Sequence, residues 1–157
     1  MNPIGELIAV EDIRLDLDVA DTAQLLDVIA GLLASRNGPP HALVLESLTV
    51  REELGSTGVG HGVAIPHARM NRCATPAAAF VRTRVAIPFD APDGRPVSVF
   101  LGLIVPDTAT DRHLKLLATA AAMFSDRSFR ERLKAADSAA TLRELLVTWT
   151  EAVARAP

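Results

Sequence analysis

The sequence is poor in the residues that several common classes of protein require. It has a single cysteine, Cys73, no tyrosine and only one tryptophan. One cysteine excludes an internal disulfide and suits a reducing compartment. The scarcity of aromatic side chains leaves little surface on which nucleic-acid bases stack, and a net charge of −3 comes with no basic stripe. We therefore expect no nucleic-acid partner.

Long apolar runs are missing as well. No stretch reaches the about 20 apolar residues that a membrane-spanning helix needs. The acidic start MNPIGELIAVEDIRLDLD has neither the basic region nor the apolar core of a secretory signal. These features predict a cytoplasmic protein without direct membrane insertion. Because 49% of the 157 residues are hydrophobic, we expect a single domain over 1–157 with a well-packed core.

The most unusual stretch is Gly55–Arg69, GSTGVGHGVAIPHAR, in which four glycines and one proline surround two histidines. Glycine permits positive φ and close approach of the backbone. Pro66 fixes φ before His67 and favours an extended Ile65. The segment Val63-Ala64-Ile65 is therefore expected to form a short strand that ends at a rigid, exposed His67. On these residues alone, a surface loop with an incidental histidine is an equally good interpretation.

The remaining pattern predicts helices before, between and after strands. Residues 4–10 suit a short strand or a helix, and 15–19 alternate as a half-buried strand does. Val97–Val105 is the most apolar stretch and is expected to be a central strand covered on both faces. Further strands are predicted at 77–84 and 85–89, and helices after Asp21 or Thr22, at Pro40–Leu54, from Thr110, at Ser128–Ala135 and at Ser138–Ala154. This order indicates an α/β fold with helices on both faces of a sheet.

Two polar residues lie on helical rows that are otherwise apolar. Arg51 follows Val44 and Leu48 at i, i+4, i+7 near the end of the second helix. His113 lies in the first turn of a later helix and starts a row predicted to be buried, which continues through Leu117, Ala120, Ala121 and Phe124. Each has a plainer interpretation, because an arginine can extend along the edge of a core and a histidine can pack at its margin.

Together, Arg51, His67 and His113 suit phosphoryl transfer. A neutral imidazole is a nucleophile whose nitrogen can carry a phosphoryl group. Arginine offers a fork of donors for phosphate oxygens, and a second histidine offers one more. Backbone N–H groups of Ser56, Thr57 and Gly58 are candidates for phosphate binding in a concave turn. No P-loop is present, so the phosphoryl group would come from another protein or a small donor.

The glycine-rich stretch resembles the active-site signature of the fructose/mannitol-type (type 2) IIA domains of the bacterial phosphoenolpyruvate-dependent phosphotransferase system. It is most similar to the stand-alone nitrogen-regulatory IIA proteins. The similarity extends over roughly 10–150, with further matches at 49–52, 89–90, 103–106 and 113–114. The chain departs from it at His61, where Asn, Asp or Glu is frequent, and at Ala68, where glycine is common. The departure at His61 allows altered contacts with partner proteins in the first half of the loop.

The resemblance implies a three-layer α/β/α sandwich around a mixed central β-sheet. It implies that His67 is phosphorylated by HPr or its nitrogen-branch equivalent, with Arg51 and His113 as the accompanying catalytic residues. It implies a phosphohistidine carrier that uses no cofactor and acts as a nitrogen-related regulator on target proteins. The alternative is a sugar-transport component that passes the phosphoryl group to a separate IIB.

Two further interpretations belong to other classes. A pure interaction module without phosphotransfer is disfavoured by the intact set of Arg51, His67 and His113. A metal site built from His61 and His67 is disfavoured because no carboxylate or cysteine joins them at ligand spacing. We therefore expect no metal.

Overall fold

In the computed structural model, which describes residues 2–34 and 38–151, six strands form one mixed sheet and five helices cover it. The strands are β1 (Ile13–Leu17), β2 (Gly58–Gly60), β3 (Val63–Ala64), β4 (His67–Met70), β5 (Ala77–Ile87) and β6 (Val97–Pro106). The helices are α1 (Thr22–Ala34), α2 (His41–Glu53), α3 (Thr110–Ser125), α4 (Arg127–Ala135) and α5 (Ala139–Thr148). No helix within these described ranges is long and apolar enough to cross a membrane.

Strand β6 is the centre of the sheet, as its apolar sequence predicted. The strand order is β1-β5-β6-β3-β2, and β4 also pairs with β6. The β1–β5, β3–β6 and β4–β6 pairs are parallel, whereas β5–β6 and β2–β3 are antiparallel. The sheet is therefore mixed, which confirms the predicted fold class.

The two faces of β6 belong to two hydrophobic cores. Alternate residues Val99, Leu101, Leu103 and Val105 pack with α3, α4 and α5, and Phe100 and Ile104 pack with α1 and α2. At Gly102 a Cβ would lie 2.5 Å from the Cγ2 of Ile29, so α1 rests directly on the strand backbone. The period of two along a strand thus produces a helical layer on each face.

The strand expected to end at His67 is interrupted. β3 and β4 pair with successive parts of the same edge of β6, with Val63 opposite Val99 and His67 opposite Leu103. Between them lies Pro66, which has no N–H to donate, although its carbonyl accepts from Leu103 at 2.9 Å. His67 is therefore the half-buried first residue of a strand, rather than the exposed last residue that the sequence predicted.

A buried arginine links the sheet to α4 through hydrogen bonds. Arg82 on β5 is only 8% exposed. Its Nη1 donates to the carbonyl oxygens of Leu133, Lys134 and Ala136 at the end of α4, and its Nη2 donates to Asp16 at 3.2 Å. These bonds satisfy carbonyls that a helix end leaves without intrahelical partners.

Several predicted boundaries shift. Residues 77–84 and 85–89 belong largely to one strand, β5, whose pairing with β6 becomes irregular after Arg82. The segment 4–10 is neither a strand nor an α-helix, because 3–7 form turns, 8–9 have no regular structure and a 3-10 helix begins at Val10 (Val10–Asp12). Asp21 caps α1 through the N–H of Gln24 at 2.9 Å. The last helix ends at Thr148, and the predicted continuation to Ala154 lies outside the described residues.

The inner face of α3 overlaps the predicted row without coinciding with it. Leu116, Ala120, Met123 and Phe124 are buried, whereas Leu117 is half-buried and Ala121 is exposed. The prediction is confirmed for Ala120 and Phe124, and half-buried Leu117 packs against the core. It was wrong for Ala121, because α3 has apolar residues on several neighbouring rows and its sequence does not select one face.

Candidate functional site

Arg51, His67 and His113 surround one open cavity of about 500 Å³. Arg51 comes from the last turn of α2, His67 from the start of β4 and His113 from the first turn of α3. The imidazole rings of the two histidines are 5.8 Å apart between centroids and inclined at 49°. Three side chains that are distant in sequence thus meet beside the carboxyl-terminal half of β6.

One nitrogen of His67 is already engaged. Its Nδ1 lies 2.8 Å from the carbonyl oxygen of Ile65. A carbonyl oxygen can only accept, so Nδ1 carries the proton and Nε2 carries the lone pair. The backbone two residues upstream therefore selects the tautomer, and Nε2 is the nucleophilic nitrogen.

Both histidines are held neutral near pH 7. Burial lowers the pKa of His67, and the positive charges of Arg51 and a protonated His113 lower it further, against the opposing effect of the Ile65 carbonyl. Burial also lowers the pKa of His113, with Arg69 as the second cause. The location of His113 in the first turn of α3 acts in the same direction, because the positive end of the helix dipole disfavours a cationic ring.

The glycine-rich segment is tied to the end of α2. The Nη1 of Arg51 donates to the Gly55 carbonyl at 2.8 Å, so the guanidinium is oriented by the chain that follows its own helix. The Glu52 carboxylate accepts from the backbone N–H and the hydroxyl of buried Thr57, at 3.0 and 2.7 Å. Burial raises the pKa of Glu52, and these bonds to Thr57 counteract the rise.

Ser56, Thr57 and Gly58 are not among the described residues that line this cavity. The Thr57 N–H binds Glu52, and the Gly58 N–H donates to the Ser56 hydroxyl at 3.1 Å. That hydroxyl itself donates to the Phe89 carbonyl. Phosphate binding by these three residues stays a prediction, and it would require their N–H groups to exchange these intramolecular acceptors for phosphate oxygens.

Arg69 is a cavity residue to which the sequence analysis gave no role. Its Nη2 donates to the Asp107 carbonyl at 2.6 Å and to the Thr110 hydroxyl at 2.9 Å. It thereby joins β4, which begins at His67, to the start of α3, which carries His113. The available signal was its position two residues after His67, since residues i and i+2 of a strand share a face.

The other reactive side chains lie apart from this cavity. His61 lines a different cavity from His67, and no group of three potential metal ligands occurs in 2–34 and 38–151. Cys73 is buried with its Sγ 2.9 Å from the Thr75 carbonyl, and burial raises the pKa of the thiol. A raised pKa disfavours the reactive thiolate.

The sequence matches the family model described as "Phosphoenolpyruvate-dependent sugar phosphotransferase system, EIIA 2" over residues 6–148. The chain belongs to this EIIA 2 family. Its members are components of a phosphotransferase system, and the matched range contains the positions of Arg51, His67 and His113.

Curated EIIA 2 relatives include regulatory and sugar-specific proteins. The nitrogen regulatory protein of Pseudomonas aeruginosa is 41% identical over 125 residues, which cover 79% of this chain and 81% of that protein. The fructose-specific EIIA component of the phosphotransferase system of Haloferax volcanii is 34% identical over 107 residues, or 68% of this chain and 70% of that protein.

Solved structures show the same EIIA 2 fold. The nitrogen regulatory protein IIA-Ntr of Neisseria meningitidis superposes with a TM-score of 0.87 at 44% identity, covering 91% of this chain and 98% of that one. The mannitol IIA of Escherichia coli, solved in complex with phosphorylated IIB, has a TM-score of 0.78 at 19% identity, with 90% and 98% covered. The second similarity shows the fold alone.

Proposed function

We propose that this protein is a cytoplasmic histidine phosphocarrier that accepts a phosphoryl group from an HPr-type protein on Nε2 of His67. We further propose that it acts as a nitrogen-related regulator through its phosphorylation state. The observation that supports the carrier role most is the bond from Nδ1 of His67 to the Ile65 carbonyl. That bond leaves the Nε2 lone pair of a neutral ring for the attack.

The transfer step needs little covalent chemistry from the protein. Nε2 of His67 forms a bond to phosphorus, while the bond between phosphorus and the donor breaks and its electron pair stays with the donor. The positive fork of Arg51 and an N–H of His113, both lining the same cavity, face the charge on the equatorial oxygens. The proton on Nδ1 of His67 remains hydrogen-bonded to the Ile65 carbonyl oxygen throughout the transfer.

Apolar side chains around the cavity favour a protein donor over a small one. Val50 is 52% exposed and Leu54 is 80% exposed, and both line the cavity. Leu114, next to His113, is 60% exposed. Exposed apolar residues beside a polar centre are typical of surfaces on which another protein docks.

The regulatory role rests on the similarity to nitrogen regulatory proteins. The second candidate is a sugar-transport component that passes the phosphoryl group from His67 to a separate IIB, and the similarity to the fructose-specific component of Haloferax volcanii favours it. Purified phosphorylated protein distinguishes the two. Rapid dephosphorylation by a fructose-type IIB would indicate transport, and failure of IIB to accept the group would favour regulation.

A phosphotransfer assay with purified HPr-type proteins tests the carrier role. Wild-type protein should gain one phosphoryl group by mass spectrometry, and ¹⁵N NMR should place it on Nε2 of His67. His67→Ala should gain none, whereas His61→Ala, the matched histidine in another cavity, should react as wild type does. Label that persists in His67→Ala, or phosphorylation on Nδ1, would refute the proposal.

A further inference from the structure

A strongly basic cavity is separate from the proposed phosphotransfer site. It has a volume of about 400 Å³ and lies where the β2–β3 turn, the segment before β6 and α4 meet. None of Arg51, His67 and His113 is among the described residues that line it. Its charged lining residues are four cations and one acid, namely Arg95, Arg127, Arg130, Lys134 and Glu131.

These cations are poorly neutralised by the protein itself. Arg127 pairs with Glu131 at 3.3 Å, and both side chains are well exposed. Arg130 and Lys134 donate to the carbonyl oxygens of Phe124 and His61, at 2.8 and 3.2 Å. These carbonyls carry no net charge. Among the lining residues, four positive charges thus face one negative charge, and the Asp93 carboxylate beside them interacts with Arg95. The local excess of positive charge contrasts with the net charge of −3 of the whole chain.

Arg95 is the least constrained of the four. Within the described part of the chain its guanidinium makes no hydrogen bond and no ion pair within 4 Å, although its charge interacts with the Asp93 carboxylate, which accepts from its backbone N–H. Because Arg95 is exposed, the five donors of its planar fork are accessible to a ligand at the edge of a basic cavity. Such a fork matches phosphate oxygens in geometry and charge.

The tight turn between β2 and β3 forms one wall of the cavity. His61 and Gly62 adopt positive φ of 58° and 77° in the β2–β3 turn. Lys134 then reaches over that turn, and a Cβ on Gly62 would lie 3.4 Å from its Nζ. A concave site built from three segments encloses a small ligand better than it fits a broad protein surface.

We propose that this cavity binds a small, multiply charged phosphate compound, gripped by Arg95, Arg127, Arg130 and Lys134. Two or more phosphate groups would match the charge of the lining. The proposal does not rest on phosphoryl transfer to His67, because the two cavities share no lining residue.

An NMR titration of the full-length ¹⁵N-labelled protein with inorganic pyrophosphate, at about 0.15 M salt to screen diffuse attraction, tests the proposal. Saturable shifts are expected at 61–62, 95 and 127–134. Arg95→Ala should weaken binding by about tenfold or more, the loss of a charge-assisted hydrogen-bonded contact. The matched control is Arg132→Ala on the exposed side of α4, which removes the same charge and should change affinity by less than about threefold.

Four results would overturn the proposal. If pyrophosphate does not bind to the protein, the proposed site does not exist. Shifts confined to the neighbourhood of Arg51 and His113 would mean that the phosphotransfer cavity is the anion site. Equal weakening by Arg95→Ala and Arg132→Ala would indicate attraction to net charge alone. Binding of a polyglutamate peptide in place of pyrophosphate would make this surface a docking site for acidic proteins. Because no phosphoryl donor is used, failure here is distinguishable from failure of phosphotransfer to His67.

Discussion

Replacing Arg82 with methionine should destabilise the protein by about 3–6 kcal/mol. Nη1 has two hydrogens, which three carbonyls at the end of α4 share. We count these as two charge-assisted hydrogen bonds, each contributing about 1.5–3 kcal/mol. The bond to Asp16 adds little, because that carboxylate side chain is 64% exposed. Methionine approximates the volume of the arginine stem but leaves buried carbonyls without donors.

The same strand provides the control for this experiment. Arg84, two residues further along β5, pairs with Asp18 at 3.3 Å, and the two side chains are 65% and 74% exposed. Arg84→Met should therefore cost less than about 1 kcal/mol. Urea unfolding followed by circular dichroism measures both losses. If Arg82→Met and Arg84→Met lose similar, small amounts, the carbonyls at the end of α4 do not depend on Arg82 and the reasoning fails.

Four further predictions concern the proposed phosphotransfer site. Arg51→Lys keeps the charge but loses the fork, so transfer to His67 should slow at least about tenfold while the fold survives; unchanged rates in Arg51→Lys and Arg51→Ala alike would remove Arg51 from the site. His113→Gln should keep much of the activity, whereas His113→Ala should destabilise phosphorylated protein by about 1.5–3 kcal/mol; equal hydrolysis rates of the two phosphorylated variants would contradict this. Glu52→Ala leaves the Thr57 N–H and hydroxyl without their acceptor, so the free energy of unfolding in urea should decrease by about 1–3 kcal/mol. Glu53→Ala, which changes an exposed residue of the same helix, is the control. Because burial lowers the pKa of both histidines, the unfolded chain binds more protons to them as the pH falls, so their contribution to stability should decrease between pH 7 and 5. Chemical denaturation measures this contribution, and a pH dependence of stability that is the same in wild type and His67→Ala would refute the shift at His67.

The layers of the fold were predictable because strand and helix periods are strong signals here. The apolar run of β6 predicted a strand buried on both faces, and both cores meet on it. The row from Val44 to Arg51 predicted an inward arginine beside the glycine-rich stretch, and Arg51 lines the cavity. These residues obey local rules that tertiary contacts reinforce.

Other features depend on long-range pairing that local rules do not specify. The start of β4 at His67 follows from pairing with β6 in a register that Pro66 interrupts. Arg69 bonds to the start of α3 beside the cavity only because β4 and α3 are adjacent in space, which the sequence does not reveal. The donors of Thr57 are taken by Glu52, five residues upstream, and neither side chain alone revealed that bond.

The bond from Nδ1 of His67 to Ile65 also bears on the reversibility of the proposed carrier. When neutral Nε2 attacks phosphorus, the ring becomes an imidazolium whose Nδ1 proton already has its acceptor. When the group moves on to an acceptor, the same ring departs neutral, again with that proton in place. Neither direction requires a proton to enter or leave, so the phosphorylated ring stays a good leaving group. The group-transfer potential of the donor is then retained rather than dissipated, and the direction of net flow is set by the relative amounts of phosphorylated partners.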